Sequence, residues 1–185
     1  AFHPEDVETV YTIPWRQSNS GKFMKSKDGG KNWTNLSQPL DIKKRLQARS
    51  IKIDPDQPDT IYFCVPKKSI YAPYWHQLGN NKAGVYKSID GGNNWETMNK
   101  GFPSHASVNE VVFAPNDSNT LYAALLADDE VKGGLYKTTN SAKSWKRISL
   151  PDIIEQVNDV HIDKEGRIYI STGRYKGTLD DGGGV

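Results

Sequence analysis

The chain has 185 residues, a formal net charge of +2 and a hydrophobic fraction of 36%, values that suit one domain or part of a larger one. Acidic and basic residues are interspersed without a basic block or a long apolar run, which argues against a nucleic-acid partner and a membrane-spanning helix. The single cysteine, Cys64, rules out an internal disulfide framework and leaves the compartment open.

Short runs of alternating apolar and polar residues predict β-strands along the whole chain. No stretch of useful length has helical periodicity, although 42–47 is compatible with one helical turn. Many turns and a few large aromatic residues agree with short strands. In chain order the predicted strands are 9–13, 22–26, 32–36, 48–53, 60–65, 84–88, 94–98, 108–114, 120–125, 134–138, 144–148, 157–162 and 167–171.

One stretch recurs between strands. It reads Ser-Lys-Asp-Gly-Gly-Lys-Asn-Trp at 26–33 and Ser-Ile-Asp-Gly-Gly-Asn-Asn-Trp at 88–95, and 138–145 is a degenerate copy with Asn140 for Asp and Ala142 for Gly. An Asp-Gly pair between two strands predicts a β-hairpin, because Gly adopts positive φ without Cβ strain. We expect the carboxylate to accept hydrogen bonds from N–H groups of the turn and the Trp ring to cover the turn. The third copy, which lacks the Asp and the Gly, should form a looser turn. The positions expected to have this structural role are Ser26, Asp28, Gly30, Trp33, Ser88, Asp90, Gly92, Trp95, Thr138, Asn140 and Trp145.

The pattern Ser/Thr-x-Asp-x-Gly-x-x-Trp resembles the Asp box, also called the bacterial neuraminidase repeat. This repeat occurs in β-propellers, among them sialidases, family 74 xyloglucan hydrolases, sortilin-type receptors and photosystem II assembly factors. The resemblance implies an all-β fold, a β-propeller of four-stranded antiparallel blades with Asp-box hairpins. It is specific for architecture and says little about function.

A second repeated element gives the period. Phe2, Ile53, Phe113 and Ile162 each precede a turn that leads to a strand with tyrosine as its third residue, and they are separated by 51, 60 and 49 positions. Roughly 50 residues with four short strands is the size of a propeller blade. We therefore predict about three and a half blades. Their predicted limits are about 1–46, 47–106, 107–156 and 157–185.

The two ends of the chain predict a segment of a longer propeller. Gly184-Val185 aligns with Gly84-Val85 and Gly134-Leu135, where a third strand begins, and Phe2 aligns with the last residue of a first strand. An isolated arc of blades exposes unpaired strand edges, which propellers hide by closing the ring. We expect the remainder to come from the same or another chain, with a ring closed by two copies as the alternative.

Ligand sites on propellers are expected on the face opposite the Asp boxes, where loops gather around the axis. The long loop at 66–83 contains several aromatic residues, whose flat rings suit stacking on sugars or anchoring a protein partner. Alternatively, Tyr74 and Trp75 fold back over the blade edge. The predicted ligand-binding residues are Trp15, Arg16, Tyr71, Tyr74, Trp75, His76, Arg174 and Tyr175.

Glycosidase chemistry needs two carboxyl groups roughly 5–10 Å apart. The candidate catalytic residues are Asp128, Asp129 and Glu130, which lie on a suitable loop, with solvated surface as the alternative. The sialidase arginine motif is not matched, because Thr12 stands where the arginine should be, and no family 74 catalytic motif is recognisable. Enzyme activity therefore stays open. The four histidines lack ligand spacing, so we predict no metal and no cofactor.

The favoured interpretation is a segment of a secreted or periplasmic propeller that binds and processes carbohydrate, similar to family 74 or neuraminidase-repeat glycosidases. Its expected partner is a polysaccharide or oligosaccharide. The alternative is a non-catalytic propeller that binds a protein or peptide, as sortilin-type receptors and assembly factors do. A facing pair of partly buried carboxylates beside the aromatic residues would distinguish the first function from the second.

Overall fold

The computed structural model describes 1–13, 23–36, 48–67, 83–104, 106–127 and 132–173. Within these ranges the chain forms thirteen short β-strands and no helix. The strands are β1 (Val10–Thr12), β2 (Met24–Ser26), β3 (Thr34–Asn35), β4 (Ser50–Ile53), β5 (Ile61–Val65), β6 (Gly84–Ser88), β7 (Glu96–Thr97), β8 (Ser107–Ala114), β9 (Asp117–Leu126), β10 (Gly134–Thr138), β11 (Lys146–Arg147), β12 (Asp159–Ile162) and β13 (Ile168–Ser171). The described residues include no helix long and apolar enough to cross a bilayer.

The strands form four antiparallel sheets, in each of which every strand pairs with its neighbours in sequence. Sheet 1 contains β1–β3, sheet 2 contains β4–β7, sheet 3 contains β8–β11 and sheet 4 contains β12–β13. The first strands contact one another across the sheets, β4 with β8 and β8 with β12. The sheets are therefore arranged as adjacent blades, with their first strands nearest the propeller axis.

Apolar side chains fill the spaces between adjacent sheets. All five residues of β5 are buried, and they alternate between two cores because successive side chains in a strand point to opposite faces. Ile61, Phe63 and Val65 pack towards sheet 1, whereas Tyr62 and Cys64 pack towards sheet 3. Each such side chain contributes roughly 1.5–3 kcal/mol by leaving water, so β5 ties three sheets together. A third cluster, between sheets 3 and 4, contains Ala124, Leu135, Val157 and Val160.

The observed strand bounds lie close to the predicted ones. β6 and β10 have the predicted limits, while the fourth strands β7 and β11 are only two residues long. β9 is longer than predicted because a tight turn after Ala114 lets it pair with β8 as far as Asp117. The helical turn considered at 42–47 lies outside the described residues, and the limits of the four repeats stay predictions.

Candidate functional site

The residues predicted to bind ligand or to catalyse all lie outside the described residues, and their roles stay predictions. They are Trp15, Arg16, Tyr71, Tyr74, Trp75, His76, Asp128, Asp129, Glu130, Arg174 and Tyr175. Their segments follow β1 in sheet 1 and the second strand of the other sheets, β5, β9 or β13. In an antiparallel meander the second strand finishes at the end of the sheet where the first strand begins, so the described attachment points share one end of the sheets.

Hydrogen bonds between side chains and backbone bring three of these attachment points together. Lys67 N–H donates to Ser107 Oγ at 3.0 Å, joining the end of β5 to the start of β8. Ala127 N–H donates to Gln156 Oε1 at 3.2 Å, and Gln156 Nε2 donates to the Gly173 carbonyl. We call Lys67, Ser107, Ala127, Gln156 and Gly173 the loop-base end. It connects the described ends of β5, β9 and β13 on one side of three adjacent sheets.

A charged cluster joins the first strands of sheets 2 and 3. Lys52 Nζ lies 2.7 Å from Glu110 Oε1, and Ser50 Oγ donates to the same oxygen at 2.8 Å. The Lys52 side chain is 36% exposed and that of Glu110 is 19% exposed. We call these three residues the β4–β8 bridge. It places a carboxylate and an ammonium group side by side on the first strands, groups that bind hydroxyl-bearing ligands by hydrogen bonds.

Amide side chains join the first strands of sheets 3 and 4. Asn109 lies at a register shift of β8 and donates to the Asn158 carbonyl. Its own Oδ1 is buried and has no hydrogen-bond partner. Gln156 Nε2 donates to Asn158 Oδ1 at 2.9 Å, which connects this pair to the loop-base end. The arrangement fixes backbone at the start of β12 and leaves one acceptor unused.

The β4–β8 bridge and the amides at 109, 156 and 158 were not among the residues predicted from sequence. Ser50, Lys52 and Glu110 alternate with apolar residues as strand positions do, so their pattern reads as ordinary strand surface. Only the alignment of β4 with β8 shows that they meet. In the described part of the chain, no group of three or more His, Cys, Asp or Glu is placed to hold a metal ion.

The recurring stretches form closed hydrogen-bonded loops at the other end of the sheets, here called loop 1 (26–33), loop 2 (88–95) and loop 3 (138–145). In loop 1, Ser26 Oγ donates to Asp28 Oδ1 and accepts from Gly30 N–H, both at 2.8 Å. Asn32 donates to both Asp28 oxygens, from its backbone at 2.8 Å and from its side chain at 2.7 Å. These hydrogen bonds hold the pKa of Asp28 below its ordinary value.

Loop 2 repeats this geometry. Asn94 donates to both oxygens of Asp90, at 2.8 and 2.7 Å, and Ser88 Oγ donates at 2.8 Å. Burial acts to raise the pKa of Asp90, but the bonds from Asn94 and Ser88 outweigh it and the pKa is lowered. These carboxylates use their acceptor capacity inside their own loops, which is a structural role.

Loop 3 keeps the same conformation without the carboxylate. Asn140 Oδ1 accepts from Thr138 Oγ1 at 2.8 Å and from Ser144 N–H at 3.0 Å. Ser141 and Ala142 adopt φ of 56° and 67°, which costs more for these residues than for glycine. The looser turn expected from sequence is not observed, because the buried Trp145 ring donates to a backbone carbonyl of the preceding segment at 2.8 Å.

Comparisons with known proteins place the chain among propellers. No family model matches it. It is 25% identical over 158 residues to a probable oligoxyloglucan-reducing end-specific xyloglucanase of Neosartorya fischeri, and 25% identical over 159 residues to the oligoxyloglucan-reducing end-specific xyloglucanase of Emericella nidulans. Both alignments cover 80% of this chain and 17% of the relative. The chain therefore spans about a sixth of the length of these relatives.

Solved structures share the fold. An ancestral GH74 enzyme matches with a TM-score of 0.69 at 20% identity, over 93% of this chain and 21% of that one. The GH74 xyloglucanase from Xanthomonas campestris matches with a TM-score of 0.62 at 15% identity, over 92% and 26%. YCF48 from Cyanidioschyzon merolae matches with a TM-score of 0.53 at 16% identity, over 94% and 49%. The chain has an all-β propeller fold related to that of GH74 enzymes.

Proposed function

We propose that this chain is a segment of a secreted or periplasmic propeller that binds and processes carbohydrate, with oligosaccharides of the xyloglucan class as its ligands. The observation that carries the proposal is the similarity to two reducing-end-specific xyloglucanases along 80% of the chain. The likeness to GH74 structures agrees in fold. Because the chain spans only 17% of those relatives, the activity of the whole protein is part of the proposal.

In this proposal the ligand lies at the loop-base end, where three of the predicted segments attach. Tyr71, Tyr74 and Trp75 would stack on sugar rings, since stacking on flat aromatic faces suits the apolar faces of pyranoses. The β4–β8 bridge would add polar contacts, because Lys52 and Glu110 offer donors and an acceptor for hydroxyl groups. The further predicted contacts at this end are Trp15, Arg16, His76, Arg174 and Tyr175.

Binding tests the proposal directly. We expect the protein to bind a xyloglucan-derived oligosaccharide in isothermal titration calorimetry, and Trp75→Ala to weaken binding about tenfold, the loss of one stacking contact of about 1.4 kcal/mol. Trp33→Ala is the matched control, because loop 1 lies at the opposite end of the sheets, and it should bind like the unmodified chain. A folded protein that binds no oligosaccharide, or an unchanged affinity in Trp75→Ala, would contradict the proposal.

The catalytic part needs its own measurement. If Asp128, Asp129 or Glu130 belongs to a glycosidase carboxylate pair, its amide variant should lower the release of reducing ends by a factor of at least about 100 while binding persists. The test compares each single variant with the unmodified chain in the natural polypeptide. Unchanged hydrolysis in all three variants would exclude these residues, and binding of a protein or peptide without any response to oligosaccharide would favour a non-catalytic propeller.

A further inference from the structure

A tyrosine and a lysine face each other across two adjacent strands of sheets 1, 2 and 3, namely β1–β2, β5–β6 and β9–β10. The cross-strand pairs are Tyr11–Lys25, Tyr62–Lys87 and Tyr122–Lys137. In each pair the ammonium group lies over the tyrosine ring, 5.1, 5.2 and 5.4 Å from its centre. Such a contact is favourable because the face of the ring carries partial negative charge. We call these the Tyr–Lys pairs of sheets 1, 2 and 3.

The Tyr–Lys pair of one sheet sits against the loop of the next sheet. Tyr62 Oη and Lys87 Nζ of sheet 2 each donate to the Ser141 carbonyl of loop 3 at 3.4 Å. Burial lowers the pKa of Lys87. The pair of sheet 1 lies close to Gly91 of loop 2, where an added Cβ would be 3.0 Å from Lys25 Nζ. In both cases the contact falls on the residue that follows the Asp or Asn of the loop.

The tryptophan of the receiving loop is covered by the same neighbouring sheet. The Trp95 ring of loop 2 lies 4.8 Å from Phe23 of sheet 1, edge to face. The Trp145 ring of loop 3 stacks on Phe102, which follows sheet 2, with centres 4.9 Å apart. Trp145 is only 3% exposed. Two successive interfaces therefore share one design, a Tyr–Lys pair against the turn and an apolar surface over the Trp ring.

Loop 1 has the receiving half of this design without a neighbour in the described chain. Its glycines adopt the conformation of those in loop 2, with φ of 65° and 94° against 66° and 94°. Yet Gly91 and Gly92 are buried, whereas Gly29 is exposed. Trp33 is 39% exposed, and Val7, beside the Glu8 carbonyl that accepts from Gly29 N–H, is 79% exposed. We call Val7, Gly29, Gly30 and Trp33 the loop 1 surface.

We propose that the loop 1 surface is an interaction surface for one further sheet of the same repeat, supplied by another part of the natural polypeptide. The Tyr–Lys pair of that sheet would sit against Gly29, and an apolar side chain of its outer part would cover Trp33. The two internal interfaces support this occupant, because in loops 2 and 3 the neighbouring sheet covers the same loop positions that are exposed in loop 1. The curated relatives, of which this chain spans 17%, have room for such sheets. The inference holds whatever ligand the propeller binds.

A second copy of the chain fits the loop 1 surface less well. The pair it would have to offer is Tyr122–Lys137, the one that contacts no further loop in the described residues. Tyr122 already packs in the cluster formed with Val157 and Val160, on the side of sheet 3 where sheet 4 lies. A second copy would therefore have to displace sheet 4 to present this pair.

Hydroxyl-radical footprinting with mass spectrometry tests the proposal on the natural polypeptide, with the 185-residue chain as the matched reference. We expect oxidation of Trp33 at a rate within about twofold of that of Trp145 in the natural polypeptide, and several-fold faster oxidation of Trp33 in the 185-residue chain. Equal, fast oxidation of Trp33 in both samples would overturn the proposal. Protection that disappears on dilution, in a protein of 20.7 kDa, would assign the surface to a second copy and overturn the proposed occupant.

Photo-crosslinking identifies the covering sheet. Position 31 corresponds to Asn93 of loop 2 and Lys143 of loop 3, each two residues after the one that the neighbouring Tyr–Lys pair contacts. Lys31→p-benzoylphenylalanine in the natural polypeptide should therefore crosslink to a peptide outside 1–185 that contains a tyrosine and a lysine on adjacent strands. Asn93→p-benzoylphenylalanine is the control and should crosslink to sheet 1 near Lys25. Crosslinks from position 31 confined to 1–185 would contradict the proposal.

Discussion

At the scale of single residues, the loops are held by short polar side chains that bond to backbone two to four positions away. Loops 1 and 2 use Asp28 and Asp90, and loop 3 reaches the same conformation with the neutral Asn140. The amide oxygen accepts the same N–H bond as a carboxylate oxygen. What differs is the charge, and hence the response of each loop to pH.

Asp90→Asn should keep loop 2 folded and remove its sensitivity to acid. Burial tends to raise the pKa of Asp90, but hydrogen bonds from Asn94 and Ser88 lower it. The contribution of the carboxylate to stability is therefore present above the unfolded-state pKa of about 4 and is lost as pH falls through the lower folded-state pKa. The free energy of unfolding, measured by urea titration, should fall less steeply between about pH 5 and pH 2 in the variant. Exposed Asp152→Asn is the control, and an unchanged pH slope in Asp90→Asn would contradict the assignment.

Gly101→Ala should destabilise the protein far more than Gly166→Ala. Both glycines have positive φ, 94° and 81°, so both variants incur a backbone cost of about 1–2 kcal/mol. At Gly101 the added Cβ would also lie 2.1 Å from the Trp145 carbonyl oxygen, whereas at Gly166 it would meet nothing within 4 Å. Overpacking adds about 1–3 kcal/mol. Urea unfolding of the two variants measures the difference, and equal losses would show that loop 3 moves freely away from Gly101.

At the scale of elements, neighbouring sheets are connected by two kinds of contact, polar groups on the first strands and apolar groups in the cores between sheets. β5 serves two cores because its faces alternate, while β4 and β8 meet at Ser50, Lys52 and Glu110. The polar contacts define where neighbouring sheets align, and the apolar contacts supply most of the stabilisation, since partly exposed ion pairs contribute little.

A double-mutant cycle of Lys52→Met and Glu110→Gln should give a coupling free energy of about 1 kcal/mol, the upper range for partly exposed pairs. The short distance of 2.7 Å and the shared Ser50 hydroxyl favour this end of the range. The control is the exposed Lys164–Glu165 pair, 3.8 Å apart, whose coupling should be close to zero. Additive losses in the Lys52–Glu110 cycle would show that the bridge does not align β4 and β8.

At the scale of the whole molecule, each described sheet depends on its neighbours, because the cores lie between sheets and not within them. Cys64 lies at the centre of this arrangement, fully buried between sheets 2 and 3. Burial raises the pKa of its thiol well above the ordinary value. Its reactivity therefore depends on separation of the sheets.

The Cys64 thiol should resist a thiol-specific reagent at pH 8 until the sheets separate, because the thiolate is the reacting species and burial disfavours it. The labelling rate, followed by mass spectrometry, should rise with urea in parallel with unfolding measured by tryptophan fluorescence. Cys64→Ser combined with Ser171→Cys places a thiol at an exposed position of β13 and should react at once. Rapid native-state labelling of Cys64 would show that sheets 2 and 3 open without global unfolding.

The strand positions and the repeat follow from sequence because they depend on local chemistry. Period-2 alternation and Asp-Gly turns act within about ten residues, and so β6 and β10 have the predicted bounds. The all-β propeller fold is confirmed for the same reason, because alternating strands and tight turns recur along the chain. The predicted ligand-binding and catalytic residues rest on loop composition alone, and composition does not determine how a loop is placed.

Contacts between sheets were decided only by the tertiary structure. Ser50 and Glu110 are 60 positions apart, and nothing in either strand indicates the partner, since pairing depends on how neighbouring sheets align. Loop 3 shows the same limit. Asn140 and Ala142 predict a loose turn from sequence, but in the structure Trp145 is held by the segment that precedes it in the fold. The sequence by itself determined strands, turns and repeat; packing between sheets determined which polar groups meet and which loops are covered, because burial and distance depend on neighbours far away in the chain.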